Sequence, residues 1–218
     1  MSQAFPIPLV VRQIKKVSKD WAVPFAIRLS KSQKPFWVLL GAILSLRTRD
    51  PVAESAFNKL MKLGKSAKSL AKLKESQIKE AIYPVAFFQE KASNLKSLSG
   101  ILNDRYQGEP PEEMEELLSL RGVGRKTANM VLTLGYGRLG ICVDAHVHRI
   151  VNRWGYIKTK NPDETEEVLR KKLPKRYWKD WNQLLVTFGQ NCCKPISPYC
   201  GSCCLKELCP RVGVEKFR

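Results

Sequence analysis

Apolar residues recur at helical spacing along most of the 218-residue chain and clean two-residue alternation is scarce, a pattern that predicts an all-α protein. In "LVVRQIKKV" (Leu9 to Val17), Val10, Ile14 and Val17 fall on one helical face. "PFWVLLGAILSL" (Pro35 to Leu46) is apolar nearly all round, as expected of a helix buried in a core. "RDPVAESAFNKLMKL" offers Asp50 as an N-cap and Pro51 at the first helical position, where a missing N–H costs nothing. "KNPDETEEVLRKKL" repeats the device with Asn161 and Pro162, and its first-turn acids face the positive end of the helix dipole. Gly108, Pro110 and Pro111 close the helix around "KASNLKSLSGILNDRY", and Gly155 follows another near "AHVHRIVNRW".

One stretch departs from plain helix. "LLSLRGVGRKTANMVL" (Leu117 to Leu132) reads as a helix over Glu112 to Leu120, a tight turn over Arg121 to Gly124, and a second helix over Arg125 to Gly135. A nucleotide-binding phosphate loop needs Gly directly before its Lys and a preceding strand; here Arg125 intervenes and a helix precedes. The dinucleotide fingerprint fails too, because Thr127 stands where its third glycine belongs. What remains is either an ordinary corner between two helices or a turn free of bulky side chains. In the second case the N–H groups of Gly122, Gly124 and Arg125 can approach a DNA phosphate and hold a duplex without reading its sequence.

Charge favours the second reading. The chain carries 38 Lys and Arg against 20 Asp and Glu, a net +18 spread along its length, which points to a polyanionic partner bound on a folded surface. An anionic lipid surface has the same attraction for such a chain. No run approaches the ~20 apolar residues of a membrane span, and "MSQAFPIPLVV" lacks a basic leader region, so a soluble intracellular protein is expected, in cytoplasm or nucleoid or in a eukaryotic nucleus. The length allows two modest domains. Of seven cysteines, six lie between Cys192 and Cys209, too clustered to staple a whole fold and placed as metal ligands would be.

"LRGVGRKTANMVL", then "VDAHVHRIVNRWG", then the late cysteine cluster together resemble the endonuclease III family of DNA repair glycosylases, within the helix-hairpin-helix superfamily that uses a catalytic Asp. The resemblance runs from about Trp37 to Pro210. It implies two helical domains flanking a DNA-binding groove. One is a six-helix unit with the helix-hairpin-helix motif over 28–140, and the other an iron–sulfur domain assembled from 1–27 and 141–218.

The resemblance also assigns roles. Lys126 matches the family's nucleophile and Asp144, 18 positions on, its catalytic carboxylate. An unperturbed lysine is neutral in only roughly 4 of 10,000 molecules at pH 7, so a nucleophilic Lys126 needs its ammonium form disfavoured. A helix N-terminus, the neighbouring Arg125 and desolvation by DNA all act in that direction. Asp144 then serves partly by stabilising positive charge that develops on the sugar, and it also suits a helix N-cap. The implied activity is excision of oxidised pyrimidines through a lysine Schiff base followed by β-elimination at the abasic site. A monofunctional glycosylase of the same superfamily, which generally lacks Lys at this position and in the adenine-mismatch type adds a domain after the cluster, is the rival enzyme; a non-catalytic DNA-binding scaffold is the rival of another class.

Cys193, Cys200, Cys203 and Cys209 are spaced C-x6-C-x2-C-x5-C. Four such thiolates hold either zinc or an iron–sulfur cluster, and similarity to the family's loop favours [4Fe–4S]. Cys142, Cys192 and Cys204 fall outside the pattern and are expected as buried thiols, the last two being possible competitors as ligands. The loop "KPISPY" offers a single basic residue, Lys194, for DNA. His146 and His148, two apart on a helix, point to different faces and are read as structural. Extruding a base leaves a gap to be filled. By resemblance Arg47 in "LSLRTRD" and Phe87 in "YPVAFFQEKA", supported by Val85, are the two wedges, with Arg47 standing where the family commonly has Gln. Arg47 and Arg49 also suit backbone phosphate contact. Double-stranded DNA with damaged bases or abasic sites is thus the expected partner of a monomeric protein.

Overall fold

The computed structural model describes residues 5–32 and 34–218, so Met1 to Ala4, part of the stretch read above for a leader, lie outside the described residues. Twelve α-helices and no strand form among those residues, in agreement with the periodicity. They are α1 (Ile7–Val17), α2 (Phe25–Arg28), α3 (Pro35–Ser45), α4 (Asp50–Leu63), α5 (Ala67–Lys72), α6 (Glu75–Ile82), α7 (Phe88–Arg105), α8 (Met114–Ser119), α9 (Arg125–Met130), α10 (Ala145–Arg153), α11 (Pro162–Lys172) and α12 (Trp178–Asn191). No helix among the described residues is long and apolar enough to cross a membrane.

Contacts group the chain into two compact units, Phe25–Gly140 and the discontinuous Met1–Pro24 with Ile141–Arg218. The first is built on α3, whose Phe36 and Val38 to Leu44 are all buried, as its continuous apolar run requires. Leu95, Leu98 and Leu102 of α7 and Leu117, Leu120, Val123 and Ala128 around the α8–α9 turn complete that core. Pro51 opens α4 as expected, but the cap differs. Arg49 is the N-cap, Asp50 is already helical, and its carboxylate instead accepts the Phe25 N–H at 3.2 Å, tying α2 to α4. The helix read through Gly135 is α-helical only to Met130 and widens to a π-type turn over Val131–Gly135. Gly135 lies against α3 there, where a Cβ would come within 2.9 Å of the Pro35 Cα.

The second unit packs Ile7, Val10 and Ile14 of α1 with Val147, Ile150 and Trp154 around α10 and Trp181, Leu185 and Phe188 of α12. Val17 does not join its predicted face; as the last residue of α1 it is 40% exposed, and Val11 takes its share of the burial. Asn161 caps α11 as expected, accepting the Glu164 N–H at 2.9 Å.

Candidate functional site

The α8–α9 turn is held from inside the first unit. Leu117, Leu120 and Val123 are buried, and the Val123 N–H reaches the Leu120 carbonyl at 3.0 Å, closing the turn. Gly122 has φ +84, a left-handed conformation open to glycine at little cost. Gly124 is the N-cap of α9 at φ −99, and nothing lies within 4 Å of where its Cβ would stand. Gly122 and Gly124 are both exposed, so no side chain of the turn covers its backbone there. Arg125 and Lys126, both half-buried, occupy the first turn of α9.

Beside that turn is a pocket of about 310 Å³ lined by Ile43, Leu46, Arg47, Phe87, Glu90, Lys91, Asn94 and Gly122. It unites three chain segments that the sequence singles out separately. Arg47 (φ 54) and Phe87 (φ 57) are both left-handed, both exposed, and the Arg47 guanidinium lies 5.7 Å from the Phe87 ring centroid. Val85 is buried in the core of the same unit. Arg49 is exposed at the start of α4. Sequence reasoning missed Lys91, which is 7% exposed and whose ammonium burial pushes down to about 8. A signal was present: Lys91, Leu95, Leu98 and Leu102 follow helical spacing, so a charge stands on the buried stripe of α7 and must have partners there.

In the second unit Asp144 is buried as the N-cap of α10, accepting the N–H groups of His146 at 2.9 Å and Val147 at 3.0 Å. The same helix reaches the cysteine loop. Arg149 donates to the Cys193 carbonyl at 2.8 Å, and Arg153 to the carbonyls of Lys194 at 2.6 Å and Pro195 at 2.7 Å. His148 pairs with Thr165 at 2.7 Å and His146 with Arg149 at 3.0 Å, so the two histidines face different neighbours.

Cys193, Cys200, Cys203 and Cys209 line one pocket, with Arg153 and Arg211 also on its wall. Cys203 is the best prepared anion. The neighbouring Cys192 and Cys204 thiols hold its own thiol well below the usual range, and the Leu205 N–H approaches its sulfur at 3.4 Å. The same neighbours push the Cys192 and Cys204 thiols up; both are half-buried instead of buried as expected, and the Cys192 thiol donates to the Tyr199 carbonyl at 3.8 Å. Cys142 is buried as expected. Burial pushes Cys209 up to about 11. Among the described residues no three His, Cys, Asp or Glu side chains are arranged to hold a single metal ion. Lys194 turns toward Tyr199, its ammonium 4.9 Å from the ring centroid and 3.5 Å from the hydroxyl.

Residues 40–175 match the model of the HhH-GPD superfamily base excision DNA repair proteins. The chain is 44% identical over 182 residues to endonuclease III of Thermotoga maritima, covering 84% of this chain and 85% of the relative. It is 43% identical over 196 residues to the chloroplastic endonuclease III homolog 2 of Arabidopsis thaliana, covering 86% of this chain but only 51% of that longer protein. A solved structure of a trapped endonuclease III–DNA covalent intermediate superposes with a TM-score of 0.84 at 29% identity, covering 97% of both chains. With a helix-hairpin-helix turn, an N-capping Asp144 and a four-cysteine pocket in the expected order, the chain belongs to the HhH-GPD superfamily of base excision DNA repair proteins and, within it, to the endonuclease III family.

Proposed function

We propose that this protein is a bifunctional DNA glycosylase and abasic-site lyase that removes oxidised pyrimidines from duplex DNA. The observation that carries the reading is the 44% identity to an endonuclease III across most of both chains, joined to a lysine, Lys126, on the first turn after the glycine turn. The trapped covalent complex among its structural relatives supports the same chemistry.

Backbone N–H groups at Gly122 and Gly124 and the Arg125 charge bind the DNA backbone, while Arg47 and Phe87 fill the gap left by the extruded nucleotide. Arg49 adds backbone contact, and Lys194, though turned to Tyr199, is a further candidate. The neutral Lys126 amine attacks the sugar C1′ and the base departs with its bonding electrons, taking up a proton. Opening of the C1′–O4′ bond gives an imine between Lys126 and the sugar. Loss of the C2′ proton then drives β-elimination, which breaks the C3′–O bond and leaves a 5′-phosphate, and water hydrolyses the imine to free Lys126. Asp144 stabilises positive charge on the sugar during base loss. Its N-cap bonds to His146 and Val147 fix the carboxylate in place for this.

Cys193, Cys200, Cys203 and Cys209 suit a [4Fe–4S] cluster. The donors are all sulfur, they surround a pocket instead of converging on a point, and N–H groups approach two of them, Leu205 at 3.4 Å from Cys203 and Arg153 at 3.5 Å from Cys193. When bound, the cluster cross-links the loop from Cys193 to Cys209.

Borohydride trapping on duplexes carrying thymine glycol or an abasic site tests the proposal. Wild type is expected to form a covalent adduct and Lys126→Gln none. Base release by wild type without an adduct favours a monofunctional glycosylase, and binding without either reaction favours a scaffold.

A further inference from the structure

Lys91 sits where α7 begins, one turn after Phe87, and its own N–H bonds the Phe87 carbonyl at 2.9 Å. Its ammonium crosses to the other segment of the pocket. There it donates to the Leu46 carbonyl at 2.6 Å, the Leu44 carbonyl at 3.2 Å and the Thr48 hydroxyl at 3.3 Å. The three acceptors match the three protons of an ammonium. Thr48 carries the link back: its hydroxyl oxygen accepts the Ala86 N–H at 3.2 Å, next to Phe87. The two turns that present Arg47 and Phe87 are therefore joined by one closed ring of bonds, Phe87 to Lys91 to Thr48 to Ala86.

Such a ring has a purpose that helix capping alone does not supply. Arg47 and Phe87 both hold left-handed backbone conformations that non-glycine residues rarely adopt, and such conformations persist only where neighbours over-determine them. A cation buried beneath a pocket wall is costly unless its partners are fixed, so it favours one arrangement of both turns over any in which they separate. We infer that Lys91 is a positioning residue that, through Thr48, locks the Arg47 and Phe87 turns into a single preassembled unit for occupying the gap in the duplex. The inference rests on the proposed function for its purpose, whereas the bonding ring stands on its own. Base extrusion from a stacked duplex is the step that needs the unit; attack by Lys126 on a sugar already free of its partner strand is not.

Two variants test this in the full-length, cluster-loaded protein. Lys91→Met keeps the packing of the stem and removes all three donors. Thr48→Val leaves the bonds of Lys91 to Leu44 and Leu46 and removes the bridge, together with the bond from the Thr48 hydroxyl to the Leu46 carbonyl at 3.2 Å inside the same turn. Amide exchange at Ala86 is expected to rise about tenfold in both, as the loss of one net hydrogen bond gives. Excision of thymine glycol from duplex DNA should fall by about tenfold or more, since a misplacement at the site costs that much. Trapping on a single-stranded abasic oligonucleotide should stay within about twofold of wild type in both variants. Three outcomes would overturn the proposal: unchanged exchange at Ala86, unchanged duplex excision by Thr48→Val, or equal losses on duplex and single strand. Wild type is assayed on both substrates alongside, so a failure of the glycosylase reading is recognised separately, and the exchange arm reports on the ring without any activity.

Discussion

Two glycines in one turn do different work. Gly122 needs its φ of +84, and a Cβ there would come 3.3 Å from the Asn94 amide nitrogen. Gly122→Ala is expected to cost about 1–3 kcal/mol, the usual penalty for a strained backbone position, read from urea denaturation. Gly124 has ordinary backbone angles and open space around it, so Gly124→Ala should change stability by less than about 0.5 kcal/mol. It should still weaken DNA binding, because the methyl group enters the space a phosphate would take; equal affinity for wild type and variant would remove Gly124 from the interface. Lys91 gives a pH signature with a definite sign. Its ammonium is held down to about 8 by burial, and Arg47 and Glu90 are the other charged groups on its pocket. Between about 8 and the ordinary lysine value of about 10.4 the unfolded chain keeps a proton that the folded one has released, so stability gained from this group rises with pH there. Denaturation of wild type and Lys91→Met at the two ends of that window should show the gap moving in favour of wild type as pH rises. A gap that is flat or moves the other way contradicts the burial.

At the level of elements, α10 connects Asp144 to the cysteine loop of its unit. Asp144 caps its N-terminus, and Arg149 and Arg153, one turn apart, bind the carbonyls of Cys193, Lys194 and Pro195. Gly189 of α12 makes room for this arrangement, since a Cβ there would stand 2.4 Å from the His146 ring nitrogen and 2.9 Å from the Arg149 guanidinium. Gly189→Ala is therefore expected to lower stability by about 1–3 kcal/mol through overpacking and, in protein carrying the proposed cluster, to release iron faster than wild type, measured by melting and by chelator-accessible iron. Retention of both would mean that α12 shifts without disturbing α10. Periodicity was enough to find α3, and turn chemistry enough to place the cap of α11, because both signals are local. Asp50 was misread for the opposite reason: its carboxylate is drawn to the Phe25 N–H, a partner 25 residues away that no local pattern reveals. The glycine turn, Asp144 and the cysteines stood out by type and spacing. The ring through Lys91 and Thr48 did not, because its partners are backbone carbonyls, which carry no mark in a sequence.

For the molecule as a whole, the two units have separate apolar cores, and the cysteines belong to only one of them. Cys192, Cys193, Cys203, Cys204 and Cys209 pack against the core of α1, α10 and α12, whereas the core of α3 and α7 includes no cysteine. From Cys192 to Arg218 no helix forms, and the segment is held by scattered backbone bonds such as Arg218 N–H to the Pro198 carbonyl at 2.8 Å. A stretch that long without regular structure is stable only when something else orders it, and a group bound by four of its thiolates contributes folding free energy directly. Stripping the proposed cluster by oxidation and chelation should consequently split the melting profile. The transition of the Met1–Pro24 and Ile141–Arg218 unit is expected to move down, while that of the Phe25–Gly140 unit stays near its original temperature. Calorimetry with amide exchange assigns each transition, since Leu40 and Leu95 report on one core and Val147 and Phe188 on the other. A single transition that shifts as one would mean that the units unfold together, and an unshifted profile would mean that the cysteine loop is ordered by its protein contacts alone. In the expected case the stripped protein keeps the glycine turn and the pocket of Arg47 and Phe87 folded but loses the unit that carries Asp144. DNA binding would then outlast base excision as iron is removed.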